Sequence, residues 1–459
     1  MTRESVEPWL AASVILCSCA IPAGHPAIGA FPGLALGRIW AAPCPPSMGV
    51  WSRPLTRPAG RPIMPQTPGC HEPGGRSKGR GSLVARIEGA ALYELVGWRD
   101  AVVAPDACAG IRPAEARENL LMLLSDDGRH GVAHWPAARN PTAVCDLGWL
   151  VGVDPRALFD FSGSRVRRSH THAERLRTVR SLDVALLDLC AQAEGVPVWR
   201  LLGGEARPTV PAYDSTLYFE DLVSDESGPE HVVARAHQAI ARGHRRLKIK
   251  VGRGHKWMEW PACTERDVEV ALAVREAVGP KVELMVDANG GYTDYIEDAA
   301  DFLTETACCR FVWAEEMVAG YQVAGLKAAL KARGLEIPLA GGEGASTAAW
   351  CRESWPSVPL DVLQMDMCAT GFLEWLEIAD FACEHGLRIA PHNFGTQLGV
   401  AASLHLGKAV AEYLYCETDD SRFDAYRLPG FVLAAGEFSV PDSPGLGVVI
   451  EDPRDPPPA

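Results

Sequence analysis

Across residues 245–251 apolar and basic side chains alternate with a two-residue period, so this run reads as a β-strand with Lys248 and Lys250 on one face. A polar helix-forming stretch precedes it and a long amphipathic one follows. That context belongs to a strand inside a repeating strand–helix unit, covered by helices on one side. Short apolar runs recur downstream in the same setting, giving candidate strands at 209–213, 246–251, 282–287, 311–314, 337–340, 362–366, 388–390 and 413–416. Amphipathic stretches such as 267–278 and 373–384 lie between them. Eight strands alternating with helices predict an α/β fold, a (β/α) barrel whose chemistry sits at the C-terminal strand ends.

Upstream the pattern changes. Residues 83–95 alternate like a strand, and 119–124 form a second one that runs into a Ser-Asp-Asp-Gly turn. Helical periodicity covers 141–159 and, more strongly, 174–192, where Leu182, Ala185, Leu186 and Leu189 share a face. Leu201-Leu202-Gly203-Gly204 closes this part, with glycine supplying the break. Residues 81–208 are therefore expected to form an α+β capping domain and residues 209–430 the barrel.

Residues 1–80 hold about a third of the 35 prolines and show little periodicity, so no folded structure is expected there. The apolar run 9–21 has the length of an export signal, but two glutamates precede it and a Pro/Gly/Arg-rich stretch follows. The segment is read instead as an extension upstream of a start near Met64 or beyond. No stretch is long and apolar enough to span a membrane.

Composition narrows the partners. A chain of 459 residues, 47% hydrophobic, can bury a large core in two domains. Its formal charge of −14 argues against nucleic acid or an anionic membrane surface, while leaving room for a local basic pocket that takes a small anion. The 14 cysteines are scattered without repeated spacing in a chain too long to need staples, which suits reduced thiols and a cytoplasmic protein.

The strand ends read Lys248 and Lys250, Asp287, Glu315, Glu343, Asp366, His392 and Glu417. Each acid alone could be an ordinary helix N-cap. Asp287, Glu315 and Glu343 on three consecutive strands, facing two lysines, instead suit one hard cation, Mg2+, with positions left open for water and substrate. A cation beside Lys250 would disfavour its ammonium form and lower its pKa toward that of a base able to take a carbon-bound proton. Asp366 is placed to accept an imidazole N–H from His392 and fix its tautomer. Lys248 is expected to position an anionic group of the substrate. The loops at 98–106 and 134–140 should close over the barrel mouth, making Trp98, Arg99 and Trp135 candidate substrate contacts, with cap packing as the alternative. His170-Thr171-His172 has the look of a zinc pair, but it lies in the cap beside Arg167 and Arg168, and a metal hydrolase is the weaker reading.

With these residues in place the chain resembles the enolase superfamily, and within it the mandelate racemase group. The carrying features are Lys-Ile-Lys at 248–250, Asp-Ala-Asn at 287–289, Glu315-Glu316, Gly-Gly-Glu ending at Glu343, Asp366 and Pro-His-Asn at 391–393. The cap adds 182–188 and 201–204, and Pro-Gly-Leu-Gly at 444–447 stands near the end. The resemblance covers about residues 81–451. It implies a modified TIM barrel of (β/α)7β type, with a cap completed by residues 431–459, one Mg2+ per subunit and a homo-oligomer between dimer and octamer. It also implies Glu315 as the ligand of its pair, Glu417 in preference to Glu412 as the eighth-strand acid, and Asn289 among the substrate contacts.

In that superfamily a lysine or histidine takes the proton α to a carboxylate while magnesium stabilises the enediolate. Two departures stand out. Met317 replaces a usual proline, for which only a local loop change is expected. No lysine occurs between Lys331 and Lys408, so the group opposing Lys250 is His392. With a β-hydroxyl on the substrate, His392 as an acid would help it leave, dehydrating an aldonate or aldarate to a 2-keto-3-deoxy acid. Without one, proton return gives racemisation or epimerisation. Cycloisomerisation and a non-catalytic acid-binding relative complete the alternatives, and the particular carboxylate substrate stays open.

Overall fold

The computed structural model describes residues 85–136, 143–223 and 228–451, together with the backbone of three short strand fragments before residue 40. The expectation for residues 1–80 otherwise lies outside the described residues. One fragment, Val14–Leu16, pairs antiparallel with Ala91–Tyr93.

The cap is an antiparallel meander of Ile87–Trp98, Glu115–Ser125 and His130–His134. The predicted turn joins the last two, and Gly128 in it takes φ +86°, a conformation that suits glycine. Leu182–Glu194 packs across this sheet with its buried leucines. At the crossing a Cβ on Gly131 would meet the Ala185 carbonyl oxygen at 2.1 Å, so only glycine lets helix and strand approach this closely.

Two helix expectations need correction. The run 174–192 is two helices, Ala173–Thr178 and Leu182–Glu194. The break falls at the β-branched Thr178-Val179, where the Thr178 hydroxyl turns back to the Glu174 carbonyl at 3.0 Å. The run 141–159 forms 3-10 turns at Ala143–Leu150 and Pro155–Leu158. Gly152 at φ +81° interrupts it, and Asp154 starts the second turn by accepting from Arg156 N–H at 3.0 Å.

The barrel strands are Val210–Leu217, Arg246–Lys250, Glu283–Asp287, Ala314–Glu315, Leu339–Gly341, Val362–Leu363, Arg388–Ile389 and Cys416–Thr418. Each pairs parallel with its neighbour. Cys416–Thr418 closes the ring on Ala212–Asp214, and an Ile389–Tyr413 bridge joins the seventh and eighth strands. Helices follow the first seven strands, from Pro229–Ala241 to Gln397–Ala409; among the described residues none follows the eighth. This is the (β/α)7β arrangement.

The barrel interior has two storeys. Tyr213, Met285, Trp313, Ala340, Val362 and Ala390 form a buried apolar cluster. Toward the C-terminal ends the register places Lys250 beside Asp287 and Asp287 beside Glu315. Past the eighth strand, Glu437–Phe438 pairs antiparallel with Val210–Pro211, and Gly445 exchanges backbone hydrogen bonds with Val196 and Val198 of the cap. Among the described residues no helix is long and apolar enough to cross a membrane.

Candidate active site

The C-terminal ends of the strands bring the ionisable residues together, in two groups. In the buried group the Lys248 ammonium lies 2.7 Å from Glu315 Oε1, 2.8 Å from Glu417 Oε1 and 3.1 Å from Asp287 Oδ2. Glu315 Oε2 also accepts from Trp313 Nε1 at 3.1 Å and Gln364 Nε2 at 2.8 Å, and Glu417 Oε2 from the Asn393 N–H at 3.0 Å. Lys248 is only 1% exposed. Three carboxylates of the protein surround it, two of them the expected cation ligands Asp287 and Glu315. Glu417 is the eighth-strand acid in this group, whereas Glu412 turns its backbone carbonyl to Arg388 outside.

The second group faces an open cavity of about 490 Å³, lined by Lys250, Asn289, Glu316, Glu343, His392 and Glu417 from the barrel and by cap residues. Lys250 Nζ donates to Asp287 Oδ2 at 2.5 Å and to Asn289 Oδ1 at 2.8 Å. His392 Nδ1 is 3.0 Å from Asp366 Oδ2, which leaves Nε2 toward the cavity, 3.4 Å from Glu343 Oε1. Asp366 Oδ1 is held by the Ala369 N–H at 2.6 Å, so the dyad is anchored at a helix start. The loops carrying the acids are locally strained, with Asn289 at φ +44° and Glu316 at φ +41°.

Burial disfavours the charge on Lys250, yet the adjoining Asp287 carboxylate outweighs it and raises the lysine above its ordinary value. The lowered value expected from sequence belongs to the site with a cation beside Lys250, where Asp287 would serve the ion. Burial would lower His392 too, but the Asp366 hydrogen bond and the charges of Glu343 and Glu417 lift it to about 10. At neutral pH it is a proton donor. Burial, then the Glu343 and Asp287 charges, push Glu316 up to about 7. Glu315 and Lys248 pull against each other. Burial and Asp287 push Glu315 up to about 8, while its neighbouring carboxylates hold Lys248 well above its usual range against its own burial. We place the proton on Lys248, because three donors converge on Glu315.

Asp287, Glu315 and Glu343 are hard oxygen donors on successive strands, and the crowding of Glu316 against Glu343 and Asp287 marks a surplus of negative charge there. In donor chemistry the set fits a divalent cation such as Mg2+. It is not drawn together as a ligand sphere: among the described residues no group of three or more His, Cys, Asp or Glu lies at metal-ligand spacing. That includes the 170–172 histidines, of which His172 stacks on Trp149 at 6.1 Å.

None of the cap residues expected from sequence lines the cavity. Trp98 is 39% exposed at a backbone bridge to Arg422, and Trp135 is buried in the cap core. Arg99 lies over the Phe394 ring at 5.3 Å, behind the cavity wall. The loop at 137–140 is outside the described residues. The cap contributes Asp106, Cys108, Ala109 and Arg112 instead, and the barrel adds Ser215, Tyr218 and Phe394. These have no periodicity to flag them. The one local signal was Asp106, whose Oδ1 accepts from the Cys108 and Ala109 N–H groups in a turn.

A larger cleft, about 720 Å³, lies between residues 164–177 and the helix Phe372–His385. It holds none of the strand-end residues. Its Arg165, Arg168 and Arg177 are already paired with Asp380, with Glu374 and Glu377, and with Glu174.

The model of the enolase C-terminal domain-like family matches residues 231–454. D-galactarolactone cycloisomerase of Agrobacterium fabrum is 31% identical over 365 residues, 75% of this chain and 92% of that relative. Galacturonate dehydratase from Geobacillus sp., solved with D-galacturonate and 5-keto-4-deoxy-D-galacturonate, superposes with TM-score 0.69 at 29% identity, covering 80% of this chain and 95% of that one. A mandelate racemase/muconate lactonizing protein from Geobacillus sp. Y412MC10, solved with magnesium and tartrate, gives TM-score 0.69 at 29% identity over 80% of this chain and 94% of that one.

Proposed function

The chain belongs to the enolase superfamily, in its mandelate racemase group, and on that premise we propose that it removes the proton α to the carboxylate of a sugar acid and eliminates water to give a 2-keto-3-deoxy acid. One observation carries this reading: Lys250 and His392, from the second and seventh strands, line the same cavity, with His392 oriented by Asp366. The relatives that act on galacturonate and galactarolactone support a sugar acid as substrate.

Asp287, Glu315 and Glu343 would hold Mg2+, in keeping with the magnesium found in a structural relative. When bound, the ion supplies positive charge against the negative charge that develops on the substrate carboxylate. The protein's own groups move the protons. With Asp287 engaged by the ion, the carboxylate charge that holds Lys250 protonated would be offset, and Lys250 as the free amine takes the α-proton; the C–H electron pair passes into the carboxylate. His392 Nε2 then donates a proton to the β-hydroxyl, the C–O bond breaks and water leaves; the enol so formed takes a proton at the β-carbon and loses its O–H proton to solvent, giving the 2-keto-3-deoxy acid. Asp366 keeps the Nδ1–H in place, so Nε2 stays the face presented to the substrate. Lys248 fixes Asp287, Glu315 and Glu417 in one arrangement.

The cycloisomerase relative, matched over 92% of its length, favours a second reading in which the same proton is returned without loss of water. Proton NMR in D2O separates the two, using enzyme loaded with magnesium and a panel of hexaric, hexonic and pentonic acids. Loss of the α-proton signal with a new 2-keto-3-deoxy product is expected; exchange or inversion without loss of water moves the assignment to an isomerase. Lys250→Ala and His392→Ala should each stop turnover, and a Lys250→Ala enzyme exchanging the α-proton at the wild-type rate would overturn the assignment of the base.

A further inference from the structure

Among the described residues, Arg112 is the one cap cation lining the cavity. Its backbone exchanges both hydrogen bonds with Val103, at 3.0 and 2.9 Å, closing the neck of a loop. Four contacts seat that loop on the barrel: Phe219 N–H to Pro105 O at 2.9 Å, Trp257 Nε1 to Asp106 O at 2.8 Å, Cys108 Sγ to Asn289 O at 3.2 Å, and Lys256 Nζ to Cys108 O. The guanidinium is held as firmly as the loop. Its central carbon lies 5.1 Å from the Tyr218 ring centroid and 5.5 Å from that of Phe394. Asp106 Oδ2 approaches Nη2 at 2.9 Å, but neither Nε nor Nη2 has an aligned hydrogen-bond acceptor although both are buried.

A guanidinium ordered on two aromatic faces, 32% exposed and lining the cavity, is arranged to meet a planar anion there. Tyr218 stands between this group and the proton-transfer chemistry: its ring centroid is 5.1 Å from the Arg112 guanidinium and 5.8 Å from Lys250 Nζ. A substrate with its reacting end at Lys250 and its other end at Arg112 would lie across the Tyr218 ring, a reach suited to a short-chain acid. At the Arg112 end the only lining carboxylate among the described residues is Asp106, whose Oδ1 is taken by two backbone N–H groups. Glu316, Glu343 and Glu417 all belong to the strand ends.

Building on the proposed α-proton chemistry, we propose that Arg112 binds a second, distal carboxylate, so the substrate is a sugar diacid and Arg112 the residue that selects it over the corresponding monoacid.

The test uses the full chain loaded with magnesium and stereochemically matched acid pairs, each a hexaric acid and the hexonic acid that differs only at the far carbon. Wild type should favour the diacid. Arg112→Met should lower kcat/KM for the diacid about 100-fold, mainly through KM, and change the monoacid less than about 3-fold. Arg112→Lys should recover part of the loss. A purely structural brace to Asp106 predicts equal losses on both acids, and that result, or a wild type indifferent to the distal group, overturns the proposal. Calorimetric binding of the same pairs runs in parallel. If no acid turns over, the proton-abstraction reading fails, while tighter binding of diacids that vanishes in Arg112→Met would still uphold the diacid site, and equal binding would reject it.

Discussion

His405 joins three parts of the molecule and makes their stability depend on pH in a calculable way. It lies fully buried on the helix Gln397–Ala409, accepts the Trp199 N–H on Nδ1 at 3.2 Å and donates from Nε2 to the Leu446 carbonyl at 3.2 Å. Protonating Nδ1 would set two N–H groups against each other. Burial therefore pushes the imidazole down to about 4 from 6.5, against the pull of the Leu446 carbonyl. A folded value below the unfolded one means that the contribution is present above pH 6.5 and is lost as pH falls through 6.5 toward 4. The gap is worth about 3 kcal/mol. Asp183 and Asp188, raised by burial to about 7 and about 6, act in the opposite sense. Their contribution is present below pH 3.8 and lost as pH rises through those values, so the wild-type profile mixes the two. The decisive comparison is with His405→Gln, which keeps an acceptor and a donor but cannot titrate. In urea unfolding at equal slope, the variant should be about 1–3 kcal/mol less stable at pH 8, and the difference should shrink by about 2 kcal/mol by pH 4.5. A difference constant to within about 0.5 kcal/mol over that range would refute the assignment of a buried neutral imidazole.

Two other outcomes follow from the cap. Asp183 accepts the Phe372 and Leu373 N–H groups, each at 2.8 Å, so a cap residue closes the start of a barrel helix. Asp183→Ala should lower stability by about 2–4 kcal/mol and Asp183→Asn by less, read from urea midpoints; an unchanged midpoint would exclude this role. Cys108 is an exposed thiol on the cavity wall whose pKa is raised, chiefly by burial, so a maleimide should inactivate the enzyme slowly at neutral pH and faster at higher pH. A bound dicarboxylic acid should protect, and Cys108→Ala should resist; inactivation that persists in Cys108→Ala would assign the effect to another thiol.

The residues legible in the sequence are those whose neighbours are fixed by strand register. Lys248 and Lys250 share a face because the period is two, and Asp287 and Glu315 align because parallel strands pair end to end. His392 and Asp366 follow from the same rule, through a bridge between their own residues. What register cannot convey is which groups meet across the barrel. Nothing in the sequence near Lys248 shows that Glu417, a whole barrel away, comes within 2.8 Å of it. Arg112 is hidden for the same reason, since its partners Tyr218 and Phe394 follow the first and seventh strands. The break at Thr178-Val179 was missed because the leucine pattern on either side stays in phase, while the hydroxyl of Thr178 decides the backbone locally.

The contacts of Asp188 have a bearing on how the chain is made. Its carboxylate, on the cap helix, accepts from Val132 N–H and Gln192 Nε2 within the cap and from Leu446 N–H at 2.8 Å. The first two partners emerge from the ribosome early, and the third comes only after the whole barrel has been synthesised. Without that third donor the cap leaves a slot for Leu446 uncovered beside a carboxylate that is buried in the folded protein. The segment around Leu446 thus closes on the cap helix only after the barrel strands have been made.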